Sequence, residues 1–286
     1  MTNQTSPDSG HNPLSSLFRR KDIFVTLPSN GRWYKSGINL SIDGDLGVMP
    51  MTVKDELYLK SPDAIFNGDA VVQMIRSCAP DIQDPLDVPA CDLDPIIIGI
   101  KAASEKTLSV QVKCPNCSKE SNHSIDLLQM LSLTKPLSES DTVSLYDDTV
   151  IVTVKPYSLA TQIKQNIQSY HHTQLERLLN DPKIDEERRK AEFAKSLKAA
   201  IELSFETVVD NIVSVHIKNQ DVIVNDRKHI IEWVDKADRT AHKALAERIK
   251  SLSVSLINNE VEVECGCQEN KKFKTRLDLN PLDFFT

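Results

Sequence analysis

Glycine and aromatic residues are scarce in this sequence. Only 8 of its 286 residues are glycine, and none stands in a G-x-G-x-x-G or Walker-type phosphate loop, so nucleotide-binding enzymes of those kinds are not indicated. Aromatic side chains make up 5% of the chain, which argues against a platform for stacking nucleic-acid bases. The H-E-x-x-H, G-x-S-x-G and protein-kinase signatures are absent too, so we predict that the protein is not an enzyme.

Long apolar runs and an excess of positive charge are also missing. No run approaches the roughly 20 apolar residues that a membrane-spanning helix needs. The formal net charge is -7, whereas binding to a nucleic-acid backbone depends on clustered Lys and Arg. The first residues, MTNQTSPDSGHNPLSS, lack the pattern of a secretory signal. We therefore expect no membrane span and no nucleic-acid partner, and a reducing compartment in which paired cysteines commonly bind metals.

Composition and periodicity divide the chain into three parts with an α+β fold of mixed β-hairpins and helices. Residues 1–20 are rich in Ser, Pro and Asn and predict a disordered N-terminal tail. Residues 21–135 predict an N-terminal α+β domain that carries the first cysteine pair. Residues 136–286 predict a helical region followed by a C-terminal β-hairpin that carries the second pair.

Local patterns within these parts predict individual elements. Thr52 is followed three residues later by Asp55, a relative of the capping box, which indicates that a helix begins there. Alternating Ile38, Leu40 and Ile42 precede a DGD turn and predict a β-hairpin around that turn.

A helical-hairpin insert is predicted in the middle of the chain. Apolar residues recur at helical spacing over residues 158–179 and again over 185–205, amid dense charge. The segment NDPK separates the two stretches, so the helices should fold back on each other. Such an insert is either a solvated arm or a surface that docks onto another protein.

Two cysteine pairs stand far apart in similar surroundings. Cys114 and Cys117 occur in VQVKCPNC, and Cys265 and Cys267 occur in EVEVECGC. Each pair follows alternating valines and precedes a polar turn and a second strand that ends in IDL or LDL. Two such hairpins facing each other would bring four thiolates together, as in a zinc ribbon. The sequence therefore predicts a split, zinc-ribbon-like clamp of four cysteines that binds a structural Zn²⁺.

Other uses of these cysteines stay open at this stage. CGC has one residue between its cysteines rather than two, so free thiols, a redox pair or an iron–sulfur centre are alternatives. His123 could replace one ligand, although an exposed loop histidine is the simpler interpretation. A site closed by four protein ligands has no position for substrate, so its role would be a clamp. Cys78 and Cys91 are expected to be buried small side chains.

Four aromatic residues are candidates for contact with another protein. Trp33 and Tyr34 follow a turn in SNGRWY, and Phe284 and Phe285 stand in the terminal segment LNPLDFFT. An apolar chain end of this kind either packs into the core or is offered to a partner. Because a few apolar anchors supply most of the energy of protein interfaces, we predict partner binding at these four residues.

The order of these segments resembles the T4-type bacteriophage baseplate hub family of contractile-tailed phages. The resemblance rests on VTLPSNGRWY, GVMPMTVKDELYLKSPDAIFNGDAVVQMIRSCAPDIQDP, CDLDPIIIGIKAAS and VQVKCPNC, roughly residues 25–130. The IIEWVD helix, the second cysteine pair and the final Phe-Phe match more loosely. GIKAASEKTLSV departs from the family, where an SYG-like segment is expected before the strand.

This resemblance implies a structural role in the virion tail baseplate, assembled in the host cytoplasm with other hub and tail proteins, and it carries over no catalytic residues. One alternative is a tail-assembly chaperone that holds the tape-measure protein or a hub intermediate and is absent from the mature virion. A zinc-ribbon nucleic-acid-binding protein is a second alternative, and an enzyme is the last.

Overall fold

The computed structural model describes residues 12–61, 64, 67–115, 117–137, 140–179, 185–265 and 272–277. The helices in these ranges are α1 (Val53–Leu59), α2 (Asp69–Cys78), α3 (Ala90–Ser104), α4 (Leu127–Ser132), α5 (Leu159–Leu179), α6 (Glu186–Asn211), α7 (Arg227–Lys236) and α8 (Arg239–Leu252). The strands are β1 (Ile23–Val25), β2 (Leu46–Val48), β3 (Thr107–Lys113), β4 (Glu120–Asp126), β5 (Thr142–Leu145), β6 (Val150–Val154), β7 (Ile212–Ile217), β8 (Val222–Val224), β9 (Glu260–Glu264) and β10 (Lys272–Arg276).

The strands pair in small antiparallel sheets. The pairs β1–β2, β3–β4 and β9–β10 form two-stranded sheets, and β5, β6, β7 and β8 form a four-stranded sheet in that order. Helices and hairpins thus confirm the predicted α+β class. The hairpin predicted around the DGD turn is wrong, because β2 pairs with β1. The segment before the turn instead reaches residues after α2, where Ile38 forms an isolated bridge with Ile82.

The first hydrophobic cluster surrounds α3. Ile96 and Ile100 of this helix are both fully buried, together with most of its other side chains, so the helix is covered on all sides. Strand β1 approaches it closely at Gly99, where an added Cβ would lie 2.4 Å from Cγ2 of Val25. Any side chain at this position would therefore force the Val25 side chain of β1 to move.

The second hydrophobic cluster lies between the four-stranded sheet and the helices that follow it. Val152 and Val154 of β6 pack with Val208 of α6 and with Leu245 and Ile249 of α8. One face of the sheet is thereby covered by helices, as expected for an antiparallel sheet with one side on the core.

The two clusters separate along the chain near the predicted boundary at residue 135. Buried members of the first cluster precede that position except for Leu159, Ile257 and Leu277, which return to it from later in the chain. Buried members of the second cluster come from Leu137 onward. The division of the chain into these domains stays a prediction.

Two helix starts show how local sequence positions these elements. Thr52 accepts a hydrogen bond from the backbone N–H of Asp55, and the Asp55 carboxylate accepts one from the N–H of Thr52. This reciprocal capping box confirms the predicted start of α1. Asp226 caps α7 by accepting from the N–H of Lys228 at 2.7 Å.

The predicted helical hairpin is confirmed by α5 and α6. The two helices lie side by side, and Nε2 of Gln168 donates to the carbonyl oxygen of Ser196 at 3.4 Å. Phe193 and Leu197, on the part of α6 remote from the second cluster, are 49% and 50% exposed. The predicted NDPK break falls outside the described residues.

The part of the predicted N-terminal tail that the structure describes is attached to the first cluster region. Pro13–Leu17 form a 3-10 helix. The guanidinium of Arg19 donates to the carbonyl oxygen of Pro50 at 2.7 Å and to that of Ser77 at 2.8 Å, and it lies 3.5 Å from the Asp55 carboxylate. This arginine joins the segment before β1 to α1 and to the end of α2.

Candidate metal site and partner surfaces

The two cysteine hairpins present their cysteines in the same way. On each, alternate positions of the first strand become increasingly buried toward the tip; these positions are Val110, Val112 and Cys114 on the first hairpin and Val261, Val263 and Cys265 on the second. Because side chains alternate between the two faces of a strand, each cysteine lies on the same face as its valines. The repeated pattern in the sequence thus corresponds to a repeated geometry.

Three of the predicted metal ligands converge. The Sγ atoms of Cys114, Cys117 and Cys265 all lie within 4.8 Å of one another, and those of Cys117 and Cys265 are 3.5 Å apart. Thiolates around one Zn²⁺ at about 2.3 Å stand about 3.8 Å apart, whereas a disulfide bond is about 2.05 Å long. The three thiols could therefore hold a metal ion, and they bring together residues 148 positions apart in the chain.

A tight turn positions the first pair. The N–H of Ser118 donates to the carbonyl oxygen of Cys114 at 2.9 Å, and the N–H of Cys114 donates to that of Lys119 at 3.0 Å. Ser118 has φ of 59°, in the left-handed region, which lets the chain reverse directly after Cys117. Cys114 is 1% exposed, whereas Cys117 faces solvent.

The fourth predicted ligand, Cys267, lies outside the described residues and stays a prediction. His123 is not one of the converging residues, and its Nε2 is instead 2.8 Å from the hydroxyl oxygen of Ser121. Cys78 and Cys91 are buried as expected. Burial raises the pKa of Cys78 to about 11 and also raises that of Cys91, so both remain neutral thiols rather than the thiolates that bind metals.

Tyr34 belongs to a buried hydrogen-bond network. Its hydroxyl donates to Oδ2 of Asp92 at 2.9 Å, and the backbone N–H of Ser29 donates to Oδ1 at 2.8 Å. Burial raises the pKa of Tyr34 and of Asp92. Tyr34 is 9% exposed, so little of its surface can meet a partner in this conformation. Sequence reasoning missed this network, although an aspartate in the apolar stretch CDLDPIII was a signal.

Trp33 is more accessible than its neighbour. It is half-buried against the second cluster, and the guanidinium of Arg32 lies 4.2 Å from the centre of its ring, a cation–π contact. Its φ of 71° is unusual for a bulky residue. Phe284 and Phe285 lie outside the described residues. Partner binding by all four aromatic residues stays a prediction.

Comparison with known proteins gives one family. A family model described as T4 bacteriophage base plate protein matches residues 21–285, which include both cysteine hairpins. This match confirms the resemblance to T4-type baseplate proteins. No curated protein and no solved structure matches the chain. Among the described helices, none is both long and apolar enough to cross a membrane.

Proposed function

The chain belongs to the T4 bacteriophage base plate protein family, and on this premise we propose that it is a non-enzymatic structural component of the hub of a phage tail baseplate. The family match over residues 21–285 is the observation that carries the proposal. Membership supports a structural baseplate protein in the virion tail. The hub position, and binding to other hub and tail proteins during assembly in the host cytoplasm, are the finer parts of the proposal.

A structural Zn²⁺ forms part of this proposal, with Cys114, Cys117, Cys265 and Cys267 as its ligands. The convergence of three Sγ atoms supports it. An isolated two-stranded hairpin is marginally stable in water, so an ion shared by both hairpins would fix the returning end of the chain. Zinc-finger peptides bind their ion with an apparent free energy of roughly 10–16 kcal/mol, which is ample for such a clamp.

A clamp of this kind suits a protein that acts by contact. Binding costs less when the contacting groups are already held in place, because fewer side chains and loops must be ordered on association. A protein whose distant segments are joined through one ion presents a fixed surface to its neighbours. Closed four-cysteine coordination would leave the ion itself without a catalytic role.

Mass spectrometry of purified phage particles tests the proposed location. Peptides of this chain should be present in mature tails, in a constant ratio to the other baseplate proteins. A tail-assembly chaperone would instead be found in assembly intermediates and be missing from mature particles. Absence from mature tails would therefore overturn the proposal in favour of the chaperone.

Gel mobility at low salt tests the nucleic-acid alternative. With a net charge of -7, the protein should leave the migration of DNA and RNA unchanged, since counterion release by Lys and Arg drives such binding. A retarded band that disappears at higher salt would contradict this expectation.

A further inference from the structure

A cavity of about 130 Å³ lies beside Trp33, at the beginning of α5. Three lysines contribute to its lining: Lys35, Lys155 and Lys164. Pockets that enclose drug-sized ligands have volumes of roughly 300–1,000 Å³. This cavity therefore has room for a single small chemical group rather than for a nucleotide or a cofactor.

Two of the three lysines form no ion pair with the residues that the structure describes. Lys164 is 3.5 Å from the carboxylate of Glu206, whereas neither Lys35 nor Lys155 forms an ion pair there. Lys155 is half-buried, and burial together with the nearby Lys35 lowers its pKa. Withdrawing a charged ammonium from water costs free energy. The charges of Asp210 and Asp87 offset only part of that cost, since the pKa of Lys155 is still lowered, and an anion in the cavity would offset more of it.

Each of the two acidic residues of the cavity has one carboxylate oxygen bonded to another group, Oδ2 in Asp87 and Oδ1 in Asp210. The carboxylate of Asp87 accepts hydrogen bonds from the N–H of Ser36 at 2.8 Å and from its hydroxyl at 2.7 Å. The carboxylate of Asp210 pairs with the guanidinium of Arg227. Their charges act against the lowering of the pKa of Lys155, but neither carboxylate forms an ion pair with it among the described residues.

The backbone around both lysines is held in place. The N–H of Lys155 donates to the carbonyl oxygen of Asn211 at 2.9 Å. Lys35 stands between Tyr34, which is bonded to Asp92, and Ser36, which is bonded to Asp87. The fixed backbone leaves only the two lysine side chains, of which Lys35 is exposed and Lys155 half-buried, to be ordered when an anion binds.

Backbone donors add to the positive character of the cavity. The N–H of Leu159 donates to Val88 at 2.8 Å and that of Gln162 to Ser158 at 3.0 Å. Within the described ranges, neither of the two intervening N–H groups, of Ala160 and Thr161, donates to a backbone carbonyl, and both residues line the cavity. Free N–H groups at a helix start favour anions, which supplements the two lysines.

We propose that this cavity binds the carboxylate of an Asp or Glu side chain from a partner protein. A carboxylate offers two acceptor oxygens for the ammonium and N–H donors, and such charge-assisted hydrogen bonds are the strong ones. Trp33 also lines the cavity, and the part of its ring that Arg32 leaves uncovered would contact the methylene groups of that side chain. The proposal rests on the proposed function, because neighbouring baseplate proteins supply the carboxylate.

Titration of the purified full-length chain with glutarate tests the cavity by itself. The indole N–H signal of Trp33 should shift saturably in NMR spectra, while that of Trp233, the second of the 2 tryptophans, should not move. Lys155→Gln should weaken glutarate binding about tenfold, since it removes one charge-assisted hydrogen bond. Lys228→Gln changes an exposed lysine of α7 and should bind as the wild type does.

Two results of this titration would overturn the proposal. One is glutarate binding that is undetectable, or equal in the wild type and Lys155→Gln. The other is a response to inorganic phosphate without any response to glutarate, because the site would then select phosphate rather than carboxylate.

Carbodiimide cross-linking of assembled tails tests the source of the carboxylate, since this reagent joins an amine to a carboxylate in direct contact. Peptides that contain Lys35 or Lys155 should be linked to an Asp or Glu of a neighbouring tail protein, and the Lys155→Gln variant should lose the links at that position. If the chain is present in tails but neither lysine is linked, the inference fails and the proposed function stands. If the chain is absent from tails, the proposed function fails, and the glutarate titration still reports on the cavity.

Discussion

The two cysteine hairpins share one burial pattern, in which alternate residues become more buried toward the cysteine, but they are attached to the rest of the protein differently. The first, β3–β4, has strands of 7 residues and lies between α3 and α4 in the chain, with Leu127 and Met130 of α4 buried in the first cluster. The second, β9–β10, has strands of 5 residues and returns to that cluster mainly through Ile257, Leu277 and the half-buried Val261.

This difference separates local from long-range stabilisation. The first hairpin can fold together with its neighbours in sequence, whereas the second must close a long loop before it meets its partners, at a cost in chain entropy. We therefore expect the four-cysteine site to contribute unequally to the stability of the two hairpins. The site would strengthen the first hairpin, which its sequence neighbours already hold. It would itself hold the second hairpin in place.

Removing a ligand from the second hairpin should have the largest effect. We expect Cys265→Ser to lower the metal content from about one ion per chain to nearly none, because a structural site needs all of its ligands. Elemental analysis measures the metal. Trypsin should then cut at Lys272 or Lys274 well before it cuts within β3–β4, and a chelator should have the same effect on the wild type.

Cys91→Ala is the matched control for this change. It also removes a buried thiol, but one that is not among the converging cysteines, so it should keep the metal even if it lowers stability. A full complement of metal in Cys265→Ser would contradict the shared site. If trypsin cuts both hairpins equally fast after the chelator is added, the two hairpins depend on the metal equally, contrary to our expectation.

Buried valines at equivalent positions provide the next test. Val112 is 8% exposed and Val263 is 4% exposed, so alanine at either position removes a similar apolar area. Val112→Ala should lower the free energy of unfolding of the whole protein by about 1–2 kcal/mol. Val263→Ala should mainly speed amide hydrogen exchange in β9–β10, because weakly attached segments open on their own. Equal shifts of the unfolding midpoint would mean that both hairpins are equally integrated.

The site was predictable from sequence to the extent that its pattern is local. Alternating valines that lead to a cysteine occur in both hairpins, so Cys114 and Cys265 could be matched without knowledge of the fold. The hairpin around the DGD turn failed because the partner of β2 is β1, and nothing in the alternating residues excludes that choice. The Asp92 network and the pairing of Lys35 with Lys155 around one cavity depend on which distant segments cover them.

The buried carboxyl group of Asp92 should make the stability of the first cluster depend on pH. The second hairpin should not show this dependence. Burial raises the folded-state pKa of Asp92, while the unfolded value is about 3.9. Between the unfolded and the folded pKa of Asp92, the folded state thus binds more protons than the unfolded state does. The free energy of unfolding therefore falls as pH rises from about 4 through the folded pKa. Asp92→Asn should reduce this slope in denaturant unfolding of the first cluster and leave the part contributed by Asp94 of α3, whose pKa burial also raises. An unchanged slope would show that another group titrates.

The smallest effect concerns the outer faces of the hairpins. In β9–β10 the ammonium of Lys272 lies 3.2 Å from Glu264, and the hydrogen bond and charge of Glu264 raise the pKa of Lys272. In β3–β4, Lys113 stands opposite Glu120, yet the described residues show no such ion pair. With the pair of Arg276 and Glu260, the second hairpin thus has two cross-strand ion pairs, of a surface kind that contributes little.

Glu264→Gln should move the pKa of Lys272 back toward its ordinary value in an NMR titration of the side chain, and Glu120→Gln should leave it unchanged. Because the folded-state pKa is raised, the contribution of the pair to stability is present below the unfolded pKa of about 10.4 and is lost as pH rises through the folded value. Metal content and protease resistance at neutral pH should be the same in both variants. Release of β9–β10 by Glu264→Gln alone would mean that surface charges, rather than the cysteines, hold the second hairpin in place.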